Sequence, residues 1–225
     1  MSLNSSLKEV LEKVVENLNV SEHPYFKKLS KGEMTKEQFL NSQIEFAPLV
    51  SFFNRPMALV ISNIPDALLR MALVDNLWEE HGKGNPEKVH GKTILKLIDR
   101  LGGDSSSIND EPTANIKIFN DALRGASIFQ SYQFATAMFS GIERAFVDIS
   151  TIICQSIIDQ GWLEEDQITH YGLHKEIDIQ HAEDFLHVVN SDWENNKSIE
   201  EIKSGIEFGA NLFLNVYTGF YNNIK

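Results

Sequence analysis

Apolar residues recur at intervals of three and four along nearly the whole chain, and no sustained alternating run lies between turn residues. That periodicity leaves helices as the only regular element and makes an all-α fold the expectation. Thr35-Lys36-Glu37-Gln38 is a capping box, so a long helix is predicted from there to about Asn63, bent at Pro48 and Pro56. Pro65, Pro86 and Pro112 read as first helical positions, where a missing N–H costs nothing. Gly102-Gly103 stops one helix, and residues 104–109 (DSSSIN) form the clearest loop. The period resumes through Ile116, Phe119 and Leu123 and then from Phe129 to Ile158, with Gly125 and Gly141 as breaks or close-contact points and Gly161 as the end. Helices over Glu164–Asn190 and Ser198–Tyr221 follow, the last opened by a second capping box, Ser198-Ile199-Glu200-Glu201. Seven or eight helices with short connections predict one antiparallel bundle spanning residues 1–225, with no internal repeat.

Charge then narrows the partners. Twenty Lys and Arg against 32 Asp and Glu give −12, which disfavours nucleic acid and anionic membrane surfaces because both require a cationic face. The single Cys154 cannot form an internal disulfide, and the amphipathic stretch Met1 to Val20 has no apolar signal core. The longest apolar stretch, Ala145 to Ile158, is interrupted by Asp148, Ser150, Thr151 and Gln155. A soluble, cytoplasmic protein with no membrane span is expected, compatible with a homodimer.

The chemistry concentrates at His174-Lys-Glu-Ile-Asp178-Ile-Gln-His181. At about 100° per residue, positions i, i+4 and i+7 share one helix face, so two imidazoles and a carboxylate line a single stripe. Mixed nitrogen and oxygen donors without thiolate suit iron or manganese and do not select zinc. A solvated helix rich in acids could carry the same pattern, and Lys175, Glu176, Gln180, Glu183 and Asp184 supply such a face. The remaining donors favour the metal. Within Asn76 to Pro86, Glu80 falls on the last turn of one helix, and His90 falls on the first turn of the next. Glu143 lies among apolar neighbours in Phe139-Ser-Gly-Ile-Glu-Arg-Ala-Phe146; if buried it needs a cation, the alternative being a pair with Arg144 or a solvent-facing position. Glu80, His90, Glu143, His174, Asp178 and His181 together supply three carboxylates and three imidazoles from separate helices, as a two-metal site inside a helical bundle requires.

These residues resemble the haem-oxygenase-like di-iron oxidases and oxygenases. The likeness rests on Asn76-Leu77-x-Glu79-Glu80-x-Gly82-x-Gly84-Asn85-Pro86-x3-His90, then Glu143, then His174-x3-Asp178-x2-His181; His23-Pro24-Tyr25 through Gln38 is also similar to the start of family members that make aminobenzoate. The resemblance implies a haem-oxygenase-like bundle of about seven helices, two irons without haem, and O2 as co-substrate activated through a peroxo-diferric species. It implies oxidation of a small amine, amino acid or fatty acid, with the electron donor unspecified. It places Glu80, His90 and His181 on one iron and His174 and Asp178 on the other, with Glu143 shared and catalytic. The aminobenzoate-making relatives consume a tyrosine of their own and use a lysine; the matching positions here are Phe26, beside Tyr25, and Ile153. The altered pair Phe46-Ala47 implies a different substrate pocket, for which Tyr25, Phe26, Glu45, Phe139 and Phe146 are candidate lining residues.

His23, His81, His170 and His187 read as surface or supporting groups, and Phe52, Phe53, Phe129, Phe134 and Phe213 as core. Cys154 reads as a small buried hydrophobe. Three other functions compete: a thiaminase-like enzyme with a cysteine nucleophile, a metal-independent quinone-cofactor synthase, and a helical interaction module without activity. Cys154 has no base beside it in sequence, and retention of all six ligand-type residues opposes the metal-free readings.

Overall fold

The computed structural model describes residues 3–108 and 111–224, with the side chain of Glu176 excepted; Met1, Asn109 and that side chain, which entered the sequence argument, lie outside the described residues. The described residues form nine α-helices and five short 3-10 turns, with no strand among them. The helices are α1 (Ser5–Leu18), α2 (Pro24–Ser30), α3 (Lys36–Asn63), α4 (Ala67–Glu80), α5 (His90–Arg100), α6 (Ala114–Phe129), α7 (Tyr132–Asp159), α8 (Thr169–Glu194) and α9 (Ile199–Asn223). The excess over about seven comes from the N-terminal α1 and the two-turn α2.

The box at Thr35 is present in both directions. Thr35 Oγ1 accepts from the Gln38 amide at 3.1 Å, and Gln38 Oε1 accepts from the Thr35 amide at 3.0 Å. The helix it opens runs to Asn63 through both internal prolines. Three other expected starts move. α4 begins at Ala67, not Pro65, and α6 at Ala114, not Pro112, because the side-chain oxygens of the caps Asp66 and Thr113 reach the free amides of Leu68 and Ile116. Pro86 opens only a 3-10 turn, and α5 begins at His90. Ser198 adopts left-handed backbone, φ 51°, and makes no side-chain cap bond, so the second box is absent. The break between α6 and α7 falls at Gln130-Ser131 and not at Gly125, which leaves Phe129 83% exposed on the last turn of α6.

α7 is the central element, packed along its length by α8 and α9, while α3 packs on α5 and α6, and α4 and α5 lean on α8. The crossing of α7 and α9 is close because Gly141 faces the backbone of Ile206 and Gly209 faces that of Met138; a Cβ on either glycine would overlap a carbonyl oxygen. Among the described residues one helix, α3 and not the 145–158 stretch, is long and apolar enough to cross a membrane, and 44% of its apolar window is already buried in the bundle.

Candidate metal centre

Four helices converge at the middle of α7. Glu80 ends α4, His90 begins α5, Glu143 lies midway along α7, and His174, Asp178 and His181 lie on one stripe of α8. All six side chains are buried, none more than 6% exposed. Arg144 is not the partner of Glu143; it turns outward to Glu12 and Asp148, each at 2.9 Å.

The polar atoms around this point lack partners. His90 Nδ1, Glu143 Oε1, His174 Nε2 and His181 Nδ1 are all buried without a hydrogen bond. His90 Nδ1 lies 2.7 Å from Glu80 Oε1 yet does not meet it in hydrogen-bonding geometry. Leaving a buried polar atom unpaired costs about 1–3 kcal/mol, so four in one place mark a site built for something that accepts lone pairs. Glu143, Asp178 and His181 offer ligand atoms within 4.8 Å of one another, a spacing that one metal ion can bridge. His90 and His174 meet edge to face with ring centres 4.8 Å apart.

Electrostatics agree. Burial, then the charges of Asp178 and Glu80, push the Glu143 carboxyl well above its usual range, and burial with Glu80 does the same to Asp178. Burial also works against an ionised Glu80, but the imidazoles of His90, His174 and His181 outweigh it and hold that carboxyl below its usual value. Burial lowers His174 to about 4 and lowers His181, leaving both rings neutral and able to ligate. Glu143 and Asp178 thus lack the positive charge that would favour their ionised forms, which divalent cations would supply.

One participant escaped the sequence argument. Glu79, adjacent to Glu80 but partly exposed, accepts from His181 Nε2 at 3.0 Å and is itself paired with Lys83. The bond fixes the His181 tautomer so that Nδ1 keeps its lone pair for the interior, 3.6 Å from Asp178 Oδ1. His174 is held similarly, its Nδ1 within 3.0 Å of Asp178 Oδ1 and its Nε2 turned inward. The signal was the Glu79-Glu80 pair itself: consecutive helical residues point about 100° apart, so both can address one imidazole-rich site from different sides. Glu79→Ala is expected to weaken iron binding by about 10–100-fold while leaving the fold intact; competition with a chromogenic chelator measures it.

Beside the ligands lies a cavity lined by Phe46, Leu49, Val50 and Phe53 of α3, Ile142 and Phe146 of α7, His170 of α8 and Phe213 of α9, with Glu80, His90, Glu143 and His174 forming its polar wall. About 30 Å³ is open to the centre of a water-sized sphere, which is space for one or two waters or ions, so a substrate must displace a wall. Phe53 is the lining residue that reaches the surface, the others being buried.

Of the five candidate pocket residues only Phe146 lines this cavity. Tyr25 and Phe26 sit one layer away, against Tyr217, with ring centres 5.3 and 4.7 Å distant; Phe46 and Phe213 intervene. Phe139 backs the wall, stacked on Phe185 at 5.1 Å. Glu45 accepts from Thr113 Oγ1 at 2.7 Å and Asn223 Nδ2 at 3.0 Å, tying helix ends together. Conversely His170 is fully buried in the cavity wall, not at the surface. Its burial was hidden in sequence because Thr169 and the preceding acidic turn suggest an exposed helix start. Cys154 is buried away from the cavity, and its thiol is pushed up to about 11 by burial, which opposes a nucleophilic role.

Comparison with known proteins converges on the same chemistry. The chain is 24% identical over 180 residues, 76% of its length and 72% of the relative's, to a 4-aminobenzoate synthase of Chlamydia muridarum. Its fold matches a CADD-like protein of unknown function from Nostoc punctiforme (TM-score 0.79, 13% identity, 98% of this chain and 99% of that one). It also matches a TenA homologue from P. horikoshii OT3 (TM-score 0.73, 13% identity, 97% of both chains). The family model for iron-containing redox enzymes matches residues 41–216, a span that contains every one of the six converging side chains. The chain is therefore an enzyme of oxidoreductase type and belongs to the iron-containing redox enzymes of haem-oxygenase-like fold.

Proposed function

We propose that this chain is a non-haem di-iron, O2-dependent oxidase or oxygenase acting on a small organic substrate: an amine, an amino acid or a fatty acid. The observation that carries the proposal is the set of buried, partnerless ligand atoms on His90, Glu143, His174 and His181, flanked by Glu80 and Asp178. The donor set fits iron, with mixed imidazole and carboxylate and no thiolate. Two irons held by these residues would supply the redox chemistry. Glu80 and His90, with His174 beside them, serve one position, and Glu143, Asp178 and His181 serve the other. This grouping exchanges His181 and His174 between the two irons relative to the division that the resemblance implies, and gives Glu143 to one position where the resemblance has it shared.

The protein's own share of the chemistry is to hold and to exclude. Glu79 orients His181, and Asp178 orients His174. Phe46, Phe146, Phe213, Leu49 and Val50 keep bulk water from the polar wall and offer an apolar body a surface to lie on. Phe26 and Ile153 carry neither the phenol nor the amine that the resemblance assigns to the aminobenzoate-making relatives, so the substrate here comes from solution.

The test is an anaerobic Fe(II) titration of metal-free protein followed by O2, monitored by absorbance. Two equivalents per chain and a transient visible band on O2 exposure are expected, with both lost in Glu143→Ala and His181→Ala. Wild-type protein that binds no iron saturably would overturn the proposal.

A further inference from the structure

His170 is the one polar group of the cavity wall that the six-ligand arrangement does not use. It stands one helical turn before His174, is 0% exposed, and packs with ring centres 4.8 Å from His174, 6.0 Å from Phe146 and 6.2 Å from Phe46. Its Nδ1 lies 2.8 Å from Thr93 Oγ1, and that hydroxyl lies 2.8 Å from the His90 carbonyl oxygen. A hydroxyl has a single hydrogen, and a carbonyl can only accept; Thr93 therefore donates to His90 and must accept from His170 Nδ1. The proton of the neutral ring is thus on Nδ1, and Nε2 carries a bare lone pair. That nitrogen is buried and has no partner.

The lone pair is not spoken for by the ligand cluster. His170 lies outside the group whose ligand atoms gather within 4.8 Å. On the cavity side it packs with Phe46 and Phe146, and Phe213 lines the same enclosure, so its Nε2 is the acceptor set among the apolar lining and apart from the polar wall of Glu80, His90, Glu143 and His174.

We propose that His170 Nε2 is the substrate anchor of this enzyme, accepting a hydrogen bond from an O–H or N–H group on a molecule whose body lies against Phe46, Phe146 and Phe213. The assignment rests on the functional proposal above and sharpens it to a substrate class: small apolar amines, alcohols or phenols, presented donor-first. A carboxylate at this position would set lone pair against lone pair, so a fatty acid does not enter with its head group on His170. The anchored donor lies beside His174, one of the ligand residues, which brings the atom bearing it near the metal site.

The test uses metal-free, full-length protein and three probes of nearly equal size: phenol, aniline and fluorobenzene. Long-range 1H–15N correlation on 15N-histidine protein, assigned with His170→Leu, is expected to show the Nδ1–H tautomer with an unprotonated Nε2. Phenol should move the Nε2 signal saturably, and fluorobenzene should not; aniline against phenol ranks N–H against O–H donors. By calorimetry His170→Leu should weaken phenol at least about tenfold while changing fluorobenzene less than about twofold, the asymmetry expected of one buried hydrogen bond. Thr93→Val, which keeps the ring but removes its anchor, should mix the tautomers and weaken phenol as well. A proton on Nε2, equal behaviour of phenol and fluorobenzene, or no binding of any probe would overturn the assignment. His170→Leu should still bind two equivalents of Fe(II); loss of iron would make His170 a ligand and also overturn it. Donor-selective binding in a wild-type protein that takes up no iron would leave the anchor standing and remove the di-iron function alone.

Discussion

Replacing Glu143 with glutamine is expected to stabilise the metal-free protein at neutral pH while costing iron affinity more than the about 10–100-fold that loss of a mere supporting partner costs at metal sites. Glutamine copies the shape of the protonated carboxyl. In acid the two proteins should melt together, because Glu143 is protonated in both the folded and unfolded states. The folded value is raised well above the ordinary 4.5 by burial and by Asp178 and Glu80. A raised acid stabilises the fold only below its unfolded pKa, and this contribution drains away as pH climbs toward the folded one. Wild type should therefore fall behind Glu143→Gln by about 1.4 kcal/mol per pH unit across that window and then by a constant amount. The lowered imidazoles act in the opposite sense, weakening the fold as pH falls from about 6.5, but they are common to both proteins and largely cancel from the difference. Calorimetric melting of both proteins at a series of pH values, without metal, is the measurement. A gap that is absent or that narrows with rising pH would show that Glu143 has a cationic partner in the empty site. Saturating Fe(II) should reverse the order, since wild type gains more binding energy on loading than the variant does.

The second large effect is expected far from any ligand. Gly209→Ala puts a methyl group onto the Met138 carbonyl oxygen, with the carbonyl carbon and Cα of Met138 also in contact. These are backbone atoms in the interior of α7, so no rotamer change relieves the clash, and α7 must separate from α9. Overpacking of this kind costs about 3 kcal/mol or more, a large share of the stability of a single domain. Gly209→Ala should accumulate as insoluble protein or melt well below wild type. Gly125→Ala, at a helical glycine with open space around it, should be neutral or slightly stabilising. Thermal denaturation of the pair separates steric exclusion from helix propensity.

Gly125 and Gly141 both read as a break or a close contact, and Gly125 is neither, having open space around it inside α6. Gly141 was legible as either a break or a close contact, and only the path of α9 decides between them. The ligand stripe on α8 was legible because metal chemistry constrains residue type and helical phase at once. The start of α3 was legible because its box is self-contained within four residues. The starts at Pro65, Pro86 and Pro112 were misplaced for the converse reason: several nearby residues can cap or open a helix, and tertiary packing selects one. Pocket residues were the least legible. A buried phenylalanine has the same sequence signature whether it faces a cavity, as Phe146 does, or backs the wall, as Phe139 does. His170 falls on the ligand stripe one turn before His174, but that phase does not separate a lining imidazole from a metal ligand. Its role becomes visible only when Thr93, 77 residues away in sequence, is brought within 2.8 Å.

The prolines of α3 bear on how the cavity accommodates guests. Pro48 and Pro56 lack an N–H, so the helix forgoes its bonds to the carbonyls of Ile44 and Phe52. The stretch between them contributes Leu49, Val50 and Phe53 to the lining, while the opposing walls on α7, α8 and α9 belong to the tightly crossed frame that carries most of the ligands. The panel on α3 thus lacks two backbone bonds, whereas the helices behind the other walls, α7, α8 and α9, have no internal proline. Selectivity for what enters can change through residues 46–53 without moving an iron ligand, whereas a change of metal chemistry would require rebuilding the frame.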